Sequence, residues 1–236
     1  MEFDLHIHSK YSYDSLLEPA KIVKAAKRKG LSGVAITDHN TIKGGMEALK
    51  YADDAFLVIV GEEVATDEGE IIGLFLKEDI KSKSALAIIK EIKDQGGVAV
   101  LAHPYKRTSR INMGIIKEID AIEGFNSRAE MLSSSNKNRM ALELAQKHNL
   151  PVIAGSDAHF LFEIGRGRCI IEERVLSSQK IKRAILSGEA KISGKSSSFF
   201  FESFSQIIKM VKLKQPLMLP RKVLKLFKGL YFKKKH

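Results

Sequence analysis

Short apolar segments alternate with amphipathic helical segments along most of this chain of 236 residues. The strand-like segments read FDLHI, GVAIT (33–37), FLVIV (56–60), VAVLA (98–102), DAIEGF (120–125), PVIAG (151–155), RCIIE (168–172) and AKIS (190–193). Helical patterns lie between them at about 19–30, 43–52, 84–97, 135–148 and 178–187. This rhythm is typical of parallel strands joined by helical crossovers.

The number of these units bears on how the sheet is completed. About seven β/α units favour a closed barrel, although the pattern alone leaves an open sheet as the alternative. The stretch EVAT-DEGE-IIGLFL predicts a hairpin, because two apolar runs flank an acidic turn that contains Gly69. We therefore predict an α/β fold with one hairpin inserted into the alternation.

The net charge of +11 is concentrated at the end of the chain. Ten Lys and Arg and no acid lie between Ser203 and His236, so this segment carries ten of the eleven net charges. The composition changes at SGKSSSFFF (193–201), and apolar residues then recur at helical spacing among lysines. We predict a barrel domain over 1–195 and a basic amphipathic tail over 196–236.

Two absences in the sequence concern its location. No apolar run approaches the roughly 20 residues that span a bilayer, and no secretory signal pattern opens the chain. Cys169 is the single cysteine, and its apolar strand predicts a core thiol. We expect a cytoplasmic protein without a transmembrane segment.

Histidines and acids follow the predicted strands at five separate places. Five of the seven histidines stand there, whereas His148 and His236 do not. The groups that follow the strands are His6, His8 and Asp14; Asp38 and His39; Glu62 and Glu63; His103; and Asp157 and His159. In a β/α barrel all these strand ends lie on one face, where active sites form. Mixed imidazole and carboxylate ligands suit divalent Zn, Mn or Fe, and eight or nine ligands suggest two or three ions.

Five of these motifs, in this order, resemble those of the polymerase and histidinol phosphatase (PHP) family. They are HIHSKYSYDS, ITDHNT, GEEV, LAHP and GSDAH, spread over residues 4 to 159. The resemblance implies a distorted (β/α)7 barrel. It also implies a metal-dependent phosphoesterase, similar to the small stand-alone members because no polymerase region follows.

Carried over by position, the resemblance implies a ligand set of His6, His8, Asp14, His39, Glu63, His103, Asp157 and His159. Glu63 is preferred to Glu62 because the family's glutamate stands two residues after the glycine of that motif. Glu70 occupies a place where family members often have histidine, and we count it as a further candidate ligand. We expect Glu63 and Asp157 at the metal of His6 and His8.

The resemblance leads to a mechanism in which a metal-bridging hydroxide attacks the phosphorus of a phosphomonoester or phosphodiester. Asp157 and His159 are candidate catalytic residues, and a third ion at Asp14, His39 and His159 would stabilise the leaving oxygen. Arg128, just beyond a strand, is a candidate bidentate phosphate clamp; the alternative is a solvated arginine. Lys106 and Arg107 are candidate substrate-binding residues, or plain surface.

Several alternatives stay open at this stage. The tail could pack its apolar residues on the barrel, or its segment 203–236 could bind nucleic acid or an anionic membrane surface. The substrate would be a small phosphorylated metabolite or nucleotide, but a nuclease or oligonucleotide phosphatase that grips its substrate with the tail is the runner-up. A non-catalytic metal-binding scaffold and a hydrolase of carbon–nitrogen bonds are further alternatives.

Overall fold

The computed structural model describes residues 1–106, 111–130 and 136–214 of the chain. The strands are β1 (Glu2–Ile7), β2 (Gly33–His39), β3 (Leu57–Thr66), β4 (Gly69–Leu74), β5 (Val98–Ala102), β6 (Ala121–Asn126), β7 (Val152–Gly155), β8 (Gly167–Ile170) and β9 (Lys191–Gly194). The helices are α1 (Pro19–Arg28), α2 (Lys43–Ala48), α3 (Ala85–Asp94), α4 (Met113–Glu118), α5 (Lys137–His148), α6 (Ser178–Leu186) and α7 (Phe199–Lys212), with a 3-10 turn at Leu49–Tyr51. Each strand expected from the sequence corresponds to one of these strands.

The strands form one sheet in the order β7-β6-β5-β4-β3-β2-β1-β8-β9. β1, β2 and β3 pair in parallel, as do β5, β6 and β7, whereas β4 runs antiparallel to both of its neighbours. β3 and β4 therefore form the hairpin that the sequence predicts. β8 pairs with the start of β1 and β9 pairs with β8, both antiparallel.

The sheet closes because the end of β1 also pairs with the segment after β7. Ile7 and Ala158 form a parallel bridge, and the amide of His8 donates to the carbonyl of Ala158 at 2.9 Å. The amide of Asp157 donates to the carbonyl of His6 at 2.8 Å. The predicted barrel is confirmed as a nearly closed one. β8 and β9 continue the sheet beyond the first residues of β1.

A register shift in β1 lets both core residues and candidate ligands face the barrel interior. The pairing with β2 shifts between Asp4 and Ile7, so one strand holds an extra residue there. Phe3 and Leu5 belong to the central apolar cluster, while His6 belongs to the metal-binding groups described below. Strict alternation would have placed Leu5 and His6 on opposite faces.

The central apolar cluster fills the barrel on the side away from the candidate ligands. Phe3, Ile72 and Val100 pack there with Ile181 and Ile185 of α6. Cys169 lies in the same cluster, fully buried, as the sequence predicts. With this end filled by side chains, space for a ligand remains at the carboxyl ends of the parallel strands.

Two expected segments differ from the structure or lie partly outside the described residues, and one helix was not expected. The helix expected over 43–52 ends at Ala48 and continues as the 3-10 turn, and α4 was not expected. α7 lies within the predicted tail, but residues 215–236, with most of its basic charge, lie outside the described residues. The division at 195/196 stays a prediction. Within the described ranges, no helix has the length and apolar character needed to cross a membrane.

Gly155 offers a test of barrel closure. A Cβ there would lie 2.2 Å from the Cβ of His6 and 3.0 Å from its backbone nitrogen. We expect Gly155→Ala to lower the free energy of unfolding by about 3 kcal/mol or more, because neither neighbour is a flexible chain end. Urea denaturation followed by circular dichroism measures this change.

Gly188→Ala is the control, because that position has a left-handed backbone (φ 74°) and no atom within 4 Å of its added Cβ. We expect this substitution to lower the free energy of unfolding by about 1–2 kcal/mol, from the left-handed backbone conformation alone. Equal losses for the two variants would show that the approach of β7 to β1 is not tight.

Candidate metal centre

The nine candidate ligands come together at the carboxyl ends of the parallel strands. His6 and His39 lie at the ends of β1 and β2, and His103 follows β5. Asp157 and His159 follow β7, and Asp14 lies in the loop between β1 and α1. Glu63 stands in β3, and Glu70 joins the same face because β4 begins where the parallel strands end. None of the nine is more than 8% exposed.

These side chains form four overlapping groups that could hold a metal ion. Within each group the ligand atoms lie within 4.8 Å of one another. The groups are His8, Asp14, His39 and His159; His6, Glu63 and His103; His6, His8 and Asp157; and His39, Glu63 and Glu70. Because His6, His8, His39 and Glu63 each belong to two groups, neighbouring ions would share ligands.

Glu63 has the geometry of a bridging carboxylate. Its Oε1 lies 3.0 Å from Nε2 of His103 and 3.5 Å from Nε2 of His6. Its Oε2 lies 3.0 Å from Nδ1 of His39 and 3.5 Å from Nε2 of His8. Each oxygen thus faces a different pair of imidazoles. Glu62 instead accepts the amide of Ile80 at 2.9 Å, which places its carboxylate away from the centre.

The donor set fits divalent ions. Nε2 of His6 and Nε2 of His8 face each other at 3.1 Å, although Nδ1 of His6 already contacts the Glu123 carboxylate. Oδ1 of Asp14 is buried without a hydrogen bond and lies 3.2 Å from Nε2 of His159. Lone pairs that converge in this way call for a cation, and a mixed nitrogen and oxygen set suits Zn, Mn or Fe.

The geometry can be compared with the expected metal sites, which stay predictions; Glu63, expected at the metal of His6 and His8, groups with His6 and His103 instead. Asp157 Oδ1 lies 3.3 Å from Nε2 of His8 and 3.8 Å from Nε2 of His6, as expected for one site. The site expected at Asp14, His39 and His159 includes His8 as well. Glu70 lies close enough to take part, with its Oε2 3.6 Å from Nε2 of His103.

Glu123 is a positioning residue that the sequence analysis missed. Its Oε1 lies 3.0 Å from Nδ1 of His6, and its Oε2 accepts the amide of His103 at 2.9 Å and Nδ2 of Asn126 at 3.0 Å. A carboxylate on the outer nitrogen of a metal-ligating histidine fixes its tautomer and raises its basicity. The one signal in the sequence is an acid within an otherwise apolar strand, AIEGF.

Asp38 accepts hydrogen bonds from the loop after β1, which carries the candidate ligands His8 and Asp14. It accepts the amide of Ser9 at 2.6 Å and the hydroxyl of Ser12 at 2.7 Å, and Ser12 in turn contacts Nδ1 of His8 at 3.0 Å. Asp38 thus acts on His8 through Ser12. There is no room beside it, because a Cβ on Gly44 would lie 1.9 Å from its Oδ2.

In the structure Arg128 pairs with Glu163, and its expected role as a bidentate phosphate clamp stays a prediction. Its Nε and one terminal nitrogen donate to Glu163 at 2.8 and 2.5 Å, and the guanidinium is 1% exposed. Glu163 also accepts the amide of His159 at 3.0 Å, so this ion pair supports the loop of a candidate ligand. No pattern in the sequence indicates this pair, since its members lie 35 residues apart.

The other candidate substrate residues have different outcomes. Nζ of Lys106 donates to Oδ2 of Asp157, and its side chain is 12% exposed, so it is no plain surface residue. Arg107 lies outside the described residues. Lys106 therefore is the cation that the structure places against a candidate metal ligand.

Burial and crowding set opposite protonation states on neighbouring imidazoles. Burial, helped by nearby His159 and His39, lowers the pKa of His8 to about 3. Burial also opposes protonation of His39, but Glu63 and Asp14 outweigh it and raise its pKa to about 10. The acids beside His6 raise the pKa of that imidazole as well, chiefly Glu123 against the effect of burial. Without metal, protons on His6 and His39 therefore balance part of the buried negative charge.

Several known proteins are similar in sequence to this chain. A family model for the PHP domain matches residues 4–156, and a model described as PHP-associated matches residues 135–190. An uncharacterized protein of Methanocaldococcus jannaschii is 44% identical over 163 residues, which covers 62% of this chain and 95% of that protein. A protein of Haemophilus influenzae named 5'-3' exoribonuclease is 34% identical over 105 residues, covering 42% of this chain and 38% of that protein.

A solved structure supports the fold. It is a two-domain protein from Bacteroides vulgatus described as containing a predicted PHP-like metal-dependent phosphoesterase, with a TM-score of 0.69 and 21% identity. The match covers 83% of this chain and 65% of that chain, so this chain spans less than two thirds of its length. At this identity the likeness concerns the fold.

Metal uptake is expected to release protons. His6 and His39 hold protons near neutral pH in the metal-free protein, because their pKa values are raised, and a metal ion must displace them. The apparent metal affinity should therefore fall as the pH is lowered, by up to about tenfold per pH unit for each proton displaced. Calorimetric titration with Mn or Zn in buffers of different ionisation enthalpy counts these protons.

His39→Asn should reduce the proton count, whereas His148→Asn at the end of α5 should leave it unchanged. Metal uptake without proton release in the unchanged protein would contradict the assigned protonation states.

Glu123→Gln tests the positioning role. We expect a metal affinity about 10–100-fold lower, because His6 loses its carboxylate partner while the side chain keeps its shape. Glu118→Gln is the control, since Glu118 is an exposed acid at the end of α4. Equal affinities of the two variants, measured by competition with a chelator, would remove Glu123 from the centre.

Proposed function

The chain belongs to the PHP domain family, and from this premise we propose that it is a metal-dependent phosphoesterase acting on a small phosphorylated metabolite or nucleotide. The observation that best supports this proposal is the position of the Glu63 carboxylate, whose two oxygens each face a different pair of imidazoles. A bridged set of ions is the arrangement that supports in-line displacement at phosphorus.

The chain's own residues supply the positions for this reaction. His6, His8, Asp14, His39, Glu63, Glu70, His103, Asp157 and His159 would hold two or three divalent ions. When bound, the ions lower the pKa of a water molecule and neutralise charge on the phosphoryl oxygens. Nδ1 of His159 lies 2.9 Å from the carbonyl of Asp157, which fixes its proton there and leaves Nε2 facing Asp14.

Lys106 is the proposed substrate-binding cation of the site. Its Nζ contacts Oδ2 of Asp157, while Oδ1 of the same carboxylate faces His8. A phosphoryl oxygen that approaches the ions would therefore come within reach of the ammonium. Lysine binds phosphate as a point charge and does not need the fork geometry of arginine.

A nuclease or oligonucleotide phosphatase is the second candidate function. The observation that favours it is the similarity to the Haemophilus influenzae protein named 5'-3' exoribonuclease. The ten Lys and Arg of segment 203–236 would provide the electrostatic grip on a polynucleotide. A binding protein without turnover is less favoured, because the nine buried candidate ligands form four overlapping groups that could hold neighbouring ions.

The decisive experiment compares two adjacent glutamates. Full-length protein is loaded with Mn, Zn, Fe or Mg and assayed on mononucleotides, dinucleotides, histidinol phosphate and short RNA. We expect metal-dependent hydrolysis, and a fall of at least about 100-fold in kcat/KM for Glu63→Gln, because each oxygen of Glu63 faces two ligands.

Glu62→Gln is the matched control, as Glu62 is equally buried in the same strand but faces the amide of Ile80. We expect it to keep most of the activity. Preference for RNA over every small ester would select the nuclease alternative. No turnover with any metal, although metal binds, would refute the enzymatic proposal.

A further inference from the structure

α7 covers the candidate metal centre. The space left between this helix and the ligands is a cavity of about 10 Å³. Its lining residues include Lys106, Asp157 and His159 from the barrel and Glu202, Ser205 and Gln206 from α7. A cavity needs roughly 10–15 Å³ to hold one water molecule, so a phosphoryl group cannot enter while α7 stays in place.

Glu202 directs its carboxylate into this space. Its Oε2 lies 3.2 Å from NH1 of Arg128, the terminal nitrogen that Glu163 leaves free, and the same nitrogen donates to Oγ of Ser205 at 3.0 Å. Burial alone would raise the pKa of Glu202, but Lys106 and Arg128 bring it below its ordinary value. The carboxylate of Glu202 therefore contacts Arg128 and lines the same cavity as Lys106, whose charge also favours its ionised form.

α7 rests on the barrel through polar contacts and through half-buried apolar side chains, among them Phe201, whose ring lies 5.6 Å from that of Phe160. Only Ser205 and Met210 of this helix are buried, and none of its residues belongs to the three apolar clusters found among the described residues. In α3, a shorter helix, Ile88, Ile89 and Ile92 are all buried in one of these clusters. Because α7 has fewer fully buried apolar residues than α3, its displacement from the barrel should cost less free energy than that of α3.

Two lysines of α7 contact the loop between β1 and α1, which carries the candidate ligands His8 and Asp14. Nζ of Lys212 donates to the carbonyls of Lys10, Ser12 and Ser15 at 2.7, 2.7 and 2.9 Å. Nζ of Lys209 lies 4.2 Å from the ring centre of Tyr13, which stacks on His39. α7 is thus attached to the loop that carries His8 and Asp14.

We infer that Glu202 is an internal occupant of a phosphate subsite formed by Lys106 and Arg128, and that α7 is a cover displaced by the phosphoryl group of the substrate. This inference rests on the proposed function and narrows it. The occupant carries one negative charge, whereas a phosphomonoester carries about 1.5–2 near neutral pH. A terminal phosphomonoester therefore displaces Glu202 more readily than a singly charged diester does.

The test uses metal-loaded, full-length protein with inorganic phosphate and dimethyl phosphate as probes. We expect Glu202→Gln to bind phosphate about tenfold more tightly than the unchanged protein, because the competing charge is removed while the side chain keeps its shape. Phosphate should also speed amide hydrogen exchange in α7 but not in α3. Dimethyl phosphate should do so less.

Glu143→Gln is the control, because Glu143 is a 63% exposed acid on α5 that contacts Arg139. We expect it to bind phosphate like the unchanged protein. Equal phosphate affinity for Glu202→Gln and Glu143→Gln, no phosphate binding by any of the proteins, or unchanged exchange in α7 would each overturn the inference.

The two proposals fail in different ways. A protein that hydrolyses no ester, but whose α7 exchanges faster with phosphate, loses the proposed function and keeps the subsite. A protein that hydrolyses phosphomonoesters, with phosphate affinity and exchange insensitive to Glu202, keeps the function and loses the cover.

Discussion

The pairing between the end of β1 and the segment after β7 is the contact on which the rest of the centre depends. Two backbone hydrogen bonds, at 2.9 and 2.8 Å, join residues from opposite ends of the barrel's chain order. Asp4 strengthens the junction, since its carboxylate accepts the amides of Ser156 and Gly165 at 2.9 and 2.7 Å. Burial raises the pKa of Asp4 to about 6, so this tie costs free energy that closure must offset. Without the junction, Asp157 would not lie beside His6 and His8.

The sequence predicts the order of strands and helices, and the strand ends at which the candidate ligands lie, because both follow from short-range patterns. Closure into a barrel was implied by the resemblance to the PHP family, since the pattern alone leaves an open sheet as the alternative. Strand and helix periods are local, and parallel strands necessarily deliver their following residues to one face. The β1 register shift is different, because it depends on how β1 pairs with β2, which no period in the sequence records. Glu123 and Glu163 were missed for a related reason. Their roles depend on partners, His6 and Arg128, that only the closed barrel brings close.

The candidate metal centre contains several buried carboxylates, whose negative charge has to be balanced by protons, cationic side chains or metal ions. Asp14, Glu63, Glu70 and Asp157 meet there among five imidazoles, with Glu123 behind them. Protons on two imidazoles, and the ammonium of Lys106, supply part of the balance in the absence of metal. Backbone strain adds to the cost, since Asp157 and His103 have φ angles of 55° and 25°. Strain and uncompensated charge at the same side chains mark a site organised for ligands, because neither improves the stability of the fold.

The same cations can serve the cover and the substrate only if the cover is weakly held. If α7 were anchored by an apolar face as large as that of α3, a phosphoryl group could not repay the loss of that burial, and the site would stay closed. If α7 lacked Glu202, NH1 of Arg128 would lose its carboxylate partner, while Glu163 and Asp157 would still neutralise part of the charge of Arg128 and Lys106. Glu202 on α7, a helix with few fully buried residues, meets both requirements: an anion at the subsite and a cover that can be displaced. It neutralises the subsite when no substrate is present, and its lower charge yields to that of a phosphomonoester.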